Sequence, residues 1–179
     1  MRSPFDDILR AKNELSLAEK YQTRLVQSYG QERASKKNTI EHLKLPVSVI
    51  WQEFSSKPYV ITVAGTNGKG EVAMALSALA HQFGINVGMW TSPHILSLAE
   101  RFVFNQENLQ VHEIEEAVIW VAKEFPQITL TYFEMLYLAF LRLMALRGPQ
   151  VLILEVGLGG RLDAVNTLDA ELVALTSIS

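Results

Sequence analysis

The pattern of apolar and polar positions changes near residue 57. Residues 1–57 are mostly polar, with a few apolar residues that indicate a short helix near the N-terminus and an apolar patch at 43–51. From residue 58 onward, short apolar runs alternate with longer segments in which apolar residues recur at helical spacing. The pattern predicts a helical or irregular lead-in over 1–57 and a folded α/β domain over 58–179.

Four of the apolar runs are short and rich in β-branched residues, which is typical of buried strands. They lie at 59–64, 85–90, 151–156 and 171–178. Three segments with helical spacing lie at 71–83, 111–125 and 131–147, and each is followed by glycine or proline. This alternation predicts a mostly parallel sheet with helices on both faces, which binds its ligands at the carboxyl ends of the strands.

Composition excludes several classes of protein. The chain of 179 residues has no cysteine and a formal net charge of −3, which excludes disulfide scaffolds and thiol nucleophiles and disfavours nucleic-acid or anionic-membrane partners. A basic cluster at Arg33, Lys36 and Lys37 is expected to be a solvated face rather than a phosphate contact.

The N-terminus lacks the apolar run of a secretory signal, and the apolar segment 132–147 carries charges and is shorter than the ~20 residues that span a bilayer. We therefore expect a cytoplasmic protein.

The first predicted strand is followed by a glycine-rich turn that contains a lysine, and then by a helix. The turn consists of Gly65, Thr66, Asn67, Gly68, Lys69 and Gly70. Glycines let successive backbone N–H groups point at an anion, the helix N-terminus adds partial positive charge, and a lysine can reach the β- and γ-phosphates. The strict pattern G-x-x-x-x-G-K-[ST] fails twice, because Val63 stands at its first glycine and Gly70 follows the lysine. We interpret the turn as a phosphate loop; the alternative is a helix-capping turn with Thr66 or Asn67 as the cap.

This turn resembles the phosphate loop of the folylpolyglutamate synthase/dihydrofolate synthase family, which is related to the Mur ligases. Four further segments follow in the family's order. Residues 91–94 with 100–102 resemble its TSPHL…ERI segment, 131–134 its T-x-F-E segment, 154–166 its LEVGLGGRLDATN signature, and 176–178 the start of its TSIGLDH strand. The resemblance extends over about residues 58–178 and argues against a generic P-loop NTPase.

The resemblance implies a ligase that uses ATP and Mg²⁺ to join the carboxylate of a folate or dihydropteroate to L-glutamate through an acyl phosphate. It implies that Lys69 and Glu155 are catalytic and that Glu155 ligates magnesium, although a carboxylate at the end of an apolar strand can instead cap a neighbouring loop. The substrate-binding positions that it implies are Ser92, His94, Arg101, Gly159, Asp163 and Asn166. Asp163 and Asn166 are also ordinary turn formers, and Glu134 is expected to cap a helix rather than to catalyse.

The sequence departs from the family at three places. Glu71 stands where the family has a Ser or Thr that binds Mg²⁺; a carboxylate there can ligate the metal, repel the phosphates or turn outward, and we expect repulsion. The lead-in lacks a GLERI-type helix. The resemblance also implies a protein over twice this length, with an Asp-His pair after residue 178 and a second domain that completes the glutamate site.

These departures lead us to expect a truncated P-loop-type nucleotide-binding domain. Its sheet would present an apolar edge through which copies of the chain can associate. Two functions stay open beside the generic NTPase. The chain is either the ATP-binding part of a folate-conjugating ligase that is inactive alone, or a non-catalytic homologue that retains at most nucleotide or partner binding.

Overall fold

A computed structural model describes residues 39–178. The helices of this range are α1 (Glu41–Gln52), α2 (Lys69–Gln82), α3 (Val111–Glu124) and α4 (Tyr132–Arg147), with short 3₁₀ helices at Leu98–Arg101 and Ala164–Thr167. The strands are β1 (Tyr59–Ala64), β2 (Val87–Trp90), β3 (Phe102–Phe104), β4 (Glu107–Asn108), β5 (Val151–Glu155) and β6 (Leu172–Leu175). The helix predicted near the N-terminus and the basic cluster at 33–37 lie outside the described residues.

The strands form one sheet in the order β4-β3-β2-β5-β1-β6. Strands β2, β5, β1 and β6 are parallel to one another, whereas β3 and β4 form an antiparallel hairpin at one edge. The mostly parallel sheet is therefore confirmed. The hairpin was not expected, because its turn at Asn105 and Gln106 adopts positive φ angles of 50° and 71° without the glycine that usually marks such a turn.

Helices cover both faces of the sheet, as predicted. On one face, α1, α3 and α4 pack against Trp90, Leu152 and Leu154. On the other face, α2 packs against Val63 and Ile153. Ile153 lies between Leu152 and Leu154 in β5, and its side chain points to the opposite face of the sheet. The alternation of β-strand side chains thus fills two separate cores.

Helix α1 lies within the region expected to be a loosely organised lead-in. Leu43, Val47 and Ile50, one helical face of α1, are buried in the core that also contains α4. The helix is therefore an integral layer of the described fold. The domain boundary at residue 57 stays a prediction.

Strand β6 leaves apolar side chains exposed. It pairs with β1 on one side, and no strand among residues 39–178 pairs with it on the other. Leu172, Val173 and Leu175 are 46%, 59% and 63% exposed. An exposed apolar edge was expected.

No helix of the described range is both long and apolar enough to span a lipid bilayer.

Candidate functional site

Three loops meet at the carboxyl edge of the parallel strands. They are the glycine turn after β1 (residues 65–70), the β2 loop (residues 91–101) and the β5 loop (residues 157–166). Because β2, β5 and β1 are adjacent in the sheet, their loops are also adjacent. This is the edge at which an open parallel sheet binds its ligands.

The glycine turn leads directly into the N-terminus of α2. Gly68 is the N-cap residue with a φ of 80°, and as a glycine it has no side chain that could cap the first turn of the helix. The N-cap residue is therefore neither Thr66 nor Asn67. The first N–H groups of a helix have no acceptor within the helix, so this end of α2 is suited to binding an anion.

The side chain of Lys69 folds back over the same turn. Its Nζ donates to the carbonyl oxygens of Gly65 at 3.1 Å and Thr66 at 3.2 Å. Thr66 in turn donates its N–H to the Ser177 carbonyl at 2.7 Å, so the turn is tied to the segment after β6. The turn thus holds an ammonium group beside the N-terminus of α2.

Glu155 ends β5 with a buried carboxylate that faces the glycine turn. Its Oε2 accepts the N–H of Ser92 at 2.9 Å, and a β-carbon on Gly70 would lie 3.8 Å from both of its oxygens. Burial raises the pKa of Glu155, the Ser92 N–H and Lys69 oppose that rise, and the negative charge of Glu71 adds to it. A cation bound beside Glu155 would therefore offset the cost of burying its charged carboxylate.

The residues present fit a magnesium ion, although no group of three or more metal-ligating side chains occurs within residues 39–178. Mg²⁺ in nucleotide sites takes only one or two carboxylates and completes its shell with water and phosphate oxygens. Glu155 meets that requirement. Glu71 interacts electrostatically with Glu155 but is exposed to solvent, so the structure offers no fixed ligand geometry for it.

The β2 loop is organised by Glu100. Its carboxylate accepts the N–H groups of Ile95, Leu96 and Ser97 at 2.7–2.8 Å. The hydroxyl of Ser97 reciprocates by accepting the N–H of Ala99, which completes a capping box at the 3₁₀ helix. The loop carrying Ser92 and His94 therefore has a defined conformation.

Arg101 is 9% exposed at the end of this loop. Its Nε donates to Nδ1 of His94 at 2.8 Å, and its guanidinium carbon lies 5.9 Å and 6.0 Å from the ring centroids of Trp90 and Phe133. Partial burial first, and the Arg101 charge second, lower the pKa of His94. Because Nδ1 of His94 accepts the hydrogen bond from Arg101, the ring proton lies on Nε2.

Asp163 holds the β5 loop together from inside. Its Oδ2 accepts the N–H groups of Gly157 and Leu158, both at 2.9 Å, and its Oδ1 accepts that of Val165 at 3.1 Å. Asn166 donates its Nδ2 to the Gly160 carbonyl at 2.6 Å. Both side chains thus act as turn formers, and their substrate-binding role stays a prediction, as does that of Gly159.

The start of α4 joins the β5 loop to α1. Glu134 and Thr131 form a capping box, which confirms Glu134 as a helix cap. Glu134 also pairs with Nε2 of His42 at 3.0 Å, a contact between residues 92 positions apart that no local sequence signal indicates. Phe133 packs against the β5 loop, since a β-carbon on Gly157 would lie 2.9 Å from its ring.

Comparisons with known proteins agree with the resemblance seen in the sequence. The chain is 44% identical over 121 residues to the dihydrofolate synthase/folylpolyglutamate synthase of Haemophilus influenzae, a match that covers 68% of this chain and 28% of the relative. Thus the chain spans well under half of the length of that relative. No family model matches the chain.

Solved structures with the same fold carry nucleotides. The bifunctional folylpolyglutamate synthase/dihydrofolate synthase of Yersinia pestis, complexed with AMPPNP and Mn, is 36% identical with a TM-score of 0.76, over 81% of this chain and 35% of that one. FolC of Escherichia coli, in complex with DHPP and ADP, is 34% identical with a TM-score of 0.74, over 87% of this chain and 38% of that one. The resemblance to this family is therefore confirmed for the part of the relatives that the chain covers.

Proposed function

We propose, from the confirmed resemblance to the folylpolyglutamate synthase/dihydrofolate synthase family, that this chain is the ATP-binding part of a folate-conjugating ligase. The observation that carries the proposal is the juxtaposition of a helix N-terminus that begins at a glycine, a lysine and a buried carboxylate at one edge of the sheet. Each of these features suits one component of Mg·ATP. The bound AMPPNP and Mn of the Yersinia pestis relative support the same assignment.

Different residues would bind the phosphates and the magnesium ion of Mg·ATP. The N–H groups at the start of α2 would donate hydrogen bonds to phosphate oxygens, and Lys69 would exchange its two carbonyl contacts for the β- and γ-phosphates. Glu155 would ligate Mg²⁺, which neutralises charge on the phosphates as they are transferred. The acceptor for the phosphoryl group is the carboxylate of a folate or dihydropteroate, and L-glutamate then displaces phosphate to form the amide.

The substitution Lys69→Ala tests the proposal. It should weaken binding of Mg·AMPPNP to the 179-residue chain more than about tenfold, because a charge-assisted contact contributes ~1.5–3 kcal/mol. Lys123→Ala, which removes an exposed lysine at the end of α3, is the matched control and should leave binding unchanged. Equal affinity of wild type and Lys69→Ala by calorimetry would reject the phosphate-loop assignment.

Glu71 favours the second candidate, a non-catalytic homologue. Its negative charge lies in the first turn of α2, where it would repel phosphates bound at the glycine turn, and it also opposes ionisation of Glu155. We expect the chain alone to form no folylpolyglutamate or dihydrofolate. Glutamate addition by the purified chain, with ATP and a reduced folate or dihydropteroate, would contradict that expectation.

A further inference from the structure

Arg101 buries a positive charge without an anionic hydrogen-bond partner. A guanidinium has five N–H donors, and the described residues accept only the one on Nε, through His94. The side chain is nevertheless 9% exposed. Burial of an incompletely paired charge lowers stability, so a residue of this kind needs an explanation other than packing.

The surroundings of Arg101 stabilise its charge but leave its terminal donors unused. The rings of Trp90 and Phe133 lie about 6 Å from the guanidinium carbon, which is a cation–π distance. Ring faces attract a cation as a whole and do not satisfy individual N–H groups. The two terminal nitrogens of Arg101 are therefore available to a planar oxyanion, which such a fork binds through two parallel hydrogen bonds.

His94 adds a donor beside this fork. Because its Nδ1 accepts from Arg101, the proton of the neutral ring is on Nε2. The hydrogen bonds of Glu100 hold the backbone of the same loop in place. Arg101 and His94 thus offer three donor nitrogens, two on the guanidinium and one on the imidazole, next to a preformed loop.

We propose that Arg101 binds the carboxylate that receives the γ-phosphoryl group, the carboxylate of the folate or dihydropteroate substrate. This assignment rests on the proposed function and specifies one contact within it. Oε2 of Glu155 accepts the N–H of Ser92 in the loop that ends at Arg101, and a β-carbon on Gly70, next to Lys69, would lie 3.8 Å from both Glu155 oxygens. A carboxylate on Arg101 and phosphates on Lys69 would therefore lie near the same residue. A ligand that binds only through its phosphates would be bound by Lys69 and would not need Arg101 as a second cationic group.

Bound in this way, the carboxylate is presented as a nucleophile. One of its oxygens forms a bond to the γ-phosphorus, while the bond from that phosphorus to the bridging oxygen breaks and ADP leaves with the electron pair. Arg101 would remain hydrogen-bonded to the second oxygen during the transfer. Its role is to position the substrate.

Calorimetry on the 179-residue chain with saturating Mg·AMPPNP tests the proposal with two probes, dihydropteroate and its carboxamide. The amide retains the shape of the acid but lacks its charge. We expect the wild type to bind the acid at least about tenfold more tightly than the amide. Arg101→Met should reduce that preference to within about twofold, and Arg101→Lys should leave an intermediate preference because it retains charge without the fork. Arg147→Met, a distant arginine paired with Glu113, should retain the full preference.

Thermal melting distinguishes a ligand-binding from a structural arginine. Removal of a buried, underpaired charge should leave the midpoint of ligand-free Arg101→Met unchanged or higher, whereas loss of a structural ion should lower it. A wild type that binds Mg·AMPPNP without preferring the acid, or an Arg101→Met variant that retains the preference, would overturn the proposal and leave the proposed function intact. Failure of the wild type to bind Mg·AMPPNP would reject the proposed function itself.

Discussion

Gly65 and Thr176 are in such close contact that a side chain at Gly65 is excluded. A β-carbon on Gly65 would overlap Oγ1 of Thr176 and lie 3.1 Å from the Ser177 carbonyl oxygen. The φ of Gly65 is +136°, a conformation that residues with side chains rarely adopt. The first residue of the glycine turn therefore packs against the segment that follows β6.

Gly65→Ala should lower the free energy of unfolding by about 2 kcal/mol or more, from backbone strain and overpacking together. Gly68→Ala is the control, since it has a φ of +80° but no atom within 4 Å, and it should lower the free energy of unfolding by about 1 kcal/mol. Urea denaturation gives both values. Adding Thr176→Ala to Gly65→Ala should recover part of the loss; simple additivity of the two changes would contradict the steric explanation.

Glu71→Ser should strengthen Mg·ATP binding at least about tenfold while changing the melting midpoint little, because it removes a negative charge from the first turn of α2. Glu71→Gln retains the length of the side chain and should reproduce most of the gain. Calorimetry measures the affinities. Weaker binding by Glu71→Ser would mean that the carboxylate is a metal ligand.

Glu100→Gln should lower stability at neutral pH and much less in acid. The N–H groups of Ile95, Ser97 and Leu96 hold the pKa of Glu100 below its ordinary value of 4.5. A carboxyl group with a lowered folded-state pKa stabilises the fold above its unfolded pKa, and this contribution is lost as pH falls through the folded pKa. Urea unfolding at pH about 7 and about 3 compares the two proteins.

Glu116→Gln is the control for this pH series, because Glu116 is exposed and has no partner among the described residues. Its effect should be small at both pH values. A difference between wild type and Glu100→Gln that stays constant from neutral to acid pH would contradict the role assigned to the ionised carboxylate.

The exposed edge at β6 should make the chain self-associate as its concentration rises. Leu175→Lys places a charge on that edge and should shift the sedimentation coefficient towards the monomer, because charged side chains block edge pairing. Leu79→Lys, at a 55% exposed leucine on the outer face of α2, should leave association unchanged. A wild type that is monomeric over the whole concentration range would contradict the prediction.

Local patterns predicted most of the architecture. The strand at β1 and the helix at α4 follow from β-branched runs and from apolar spacing, both of which are encoded within a few residues. The start of α2 at Lys69 was placed two residues late, because Gly68 takes the N-cap position through its φ rather than through a capping side chain. The β3–β4 hairpin was missed because Asn105 and Gln106 replace glycine in its turn.

The site was predictable in location but not in its contacts. Glycine turns after parallel strands indicate the edge at which Lys69 and Glu155 meet. The pairing of His42 with Glu134 depends on how α1 packs on α4, which no residue pattern near either side chain indicates. The orientation of Asp163 towards its own loop is likewise a tertiary result, since the same residue type would suit a ligand equally well.

The internal hydrogen bonds of the β5 loop have a consequence for recognition. Asp163 and Asn166 satisfy the backbone of that loop before any ligand arrives. A ligand bound against this loop would contact a surface that is already ordered, because the conformational entropy of the loop is lost on folding and not on binding. A preformed surface of this kind would select ligands by shape complementarity, because the loop would not change its conformation to fit a different ligand.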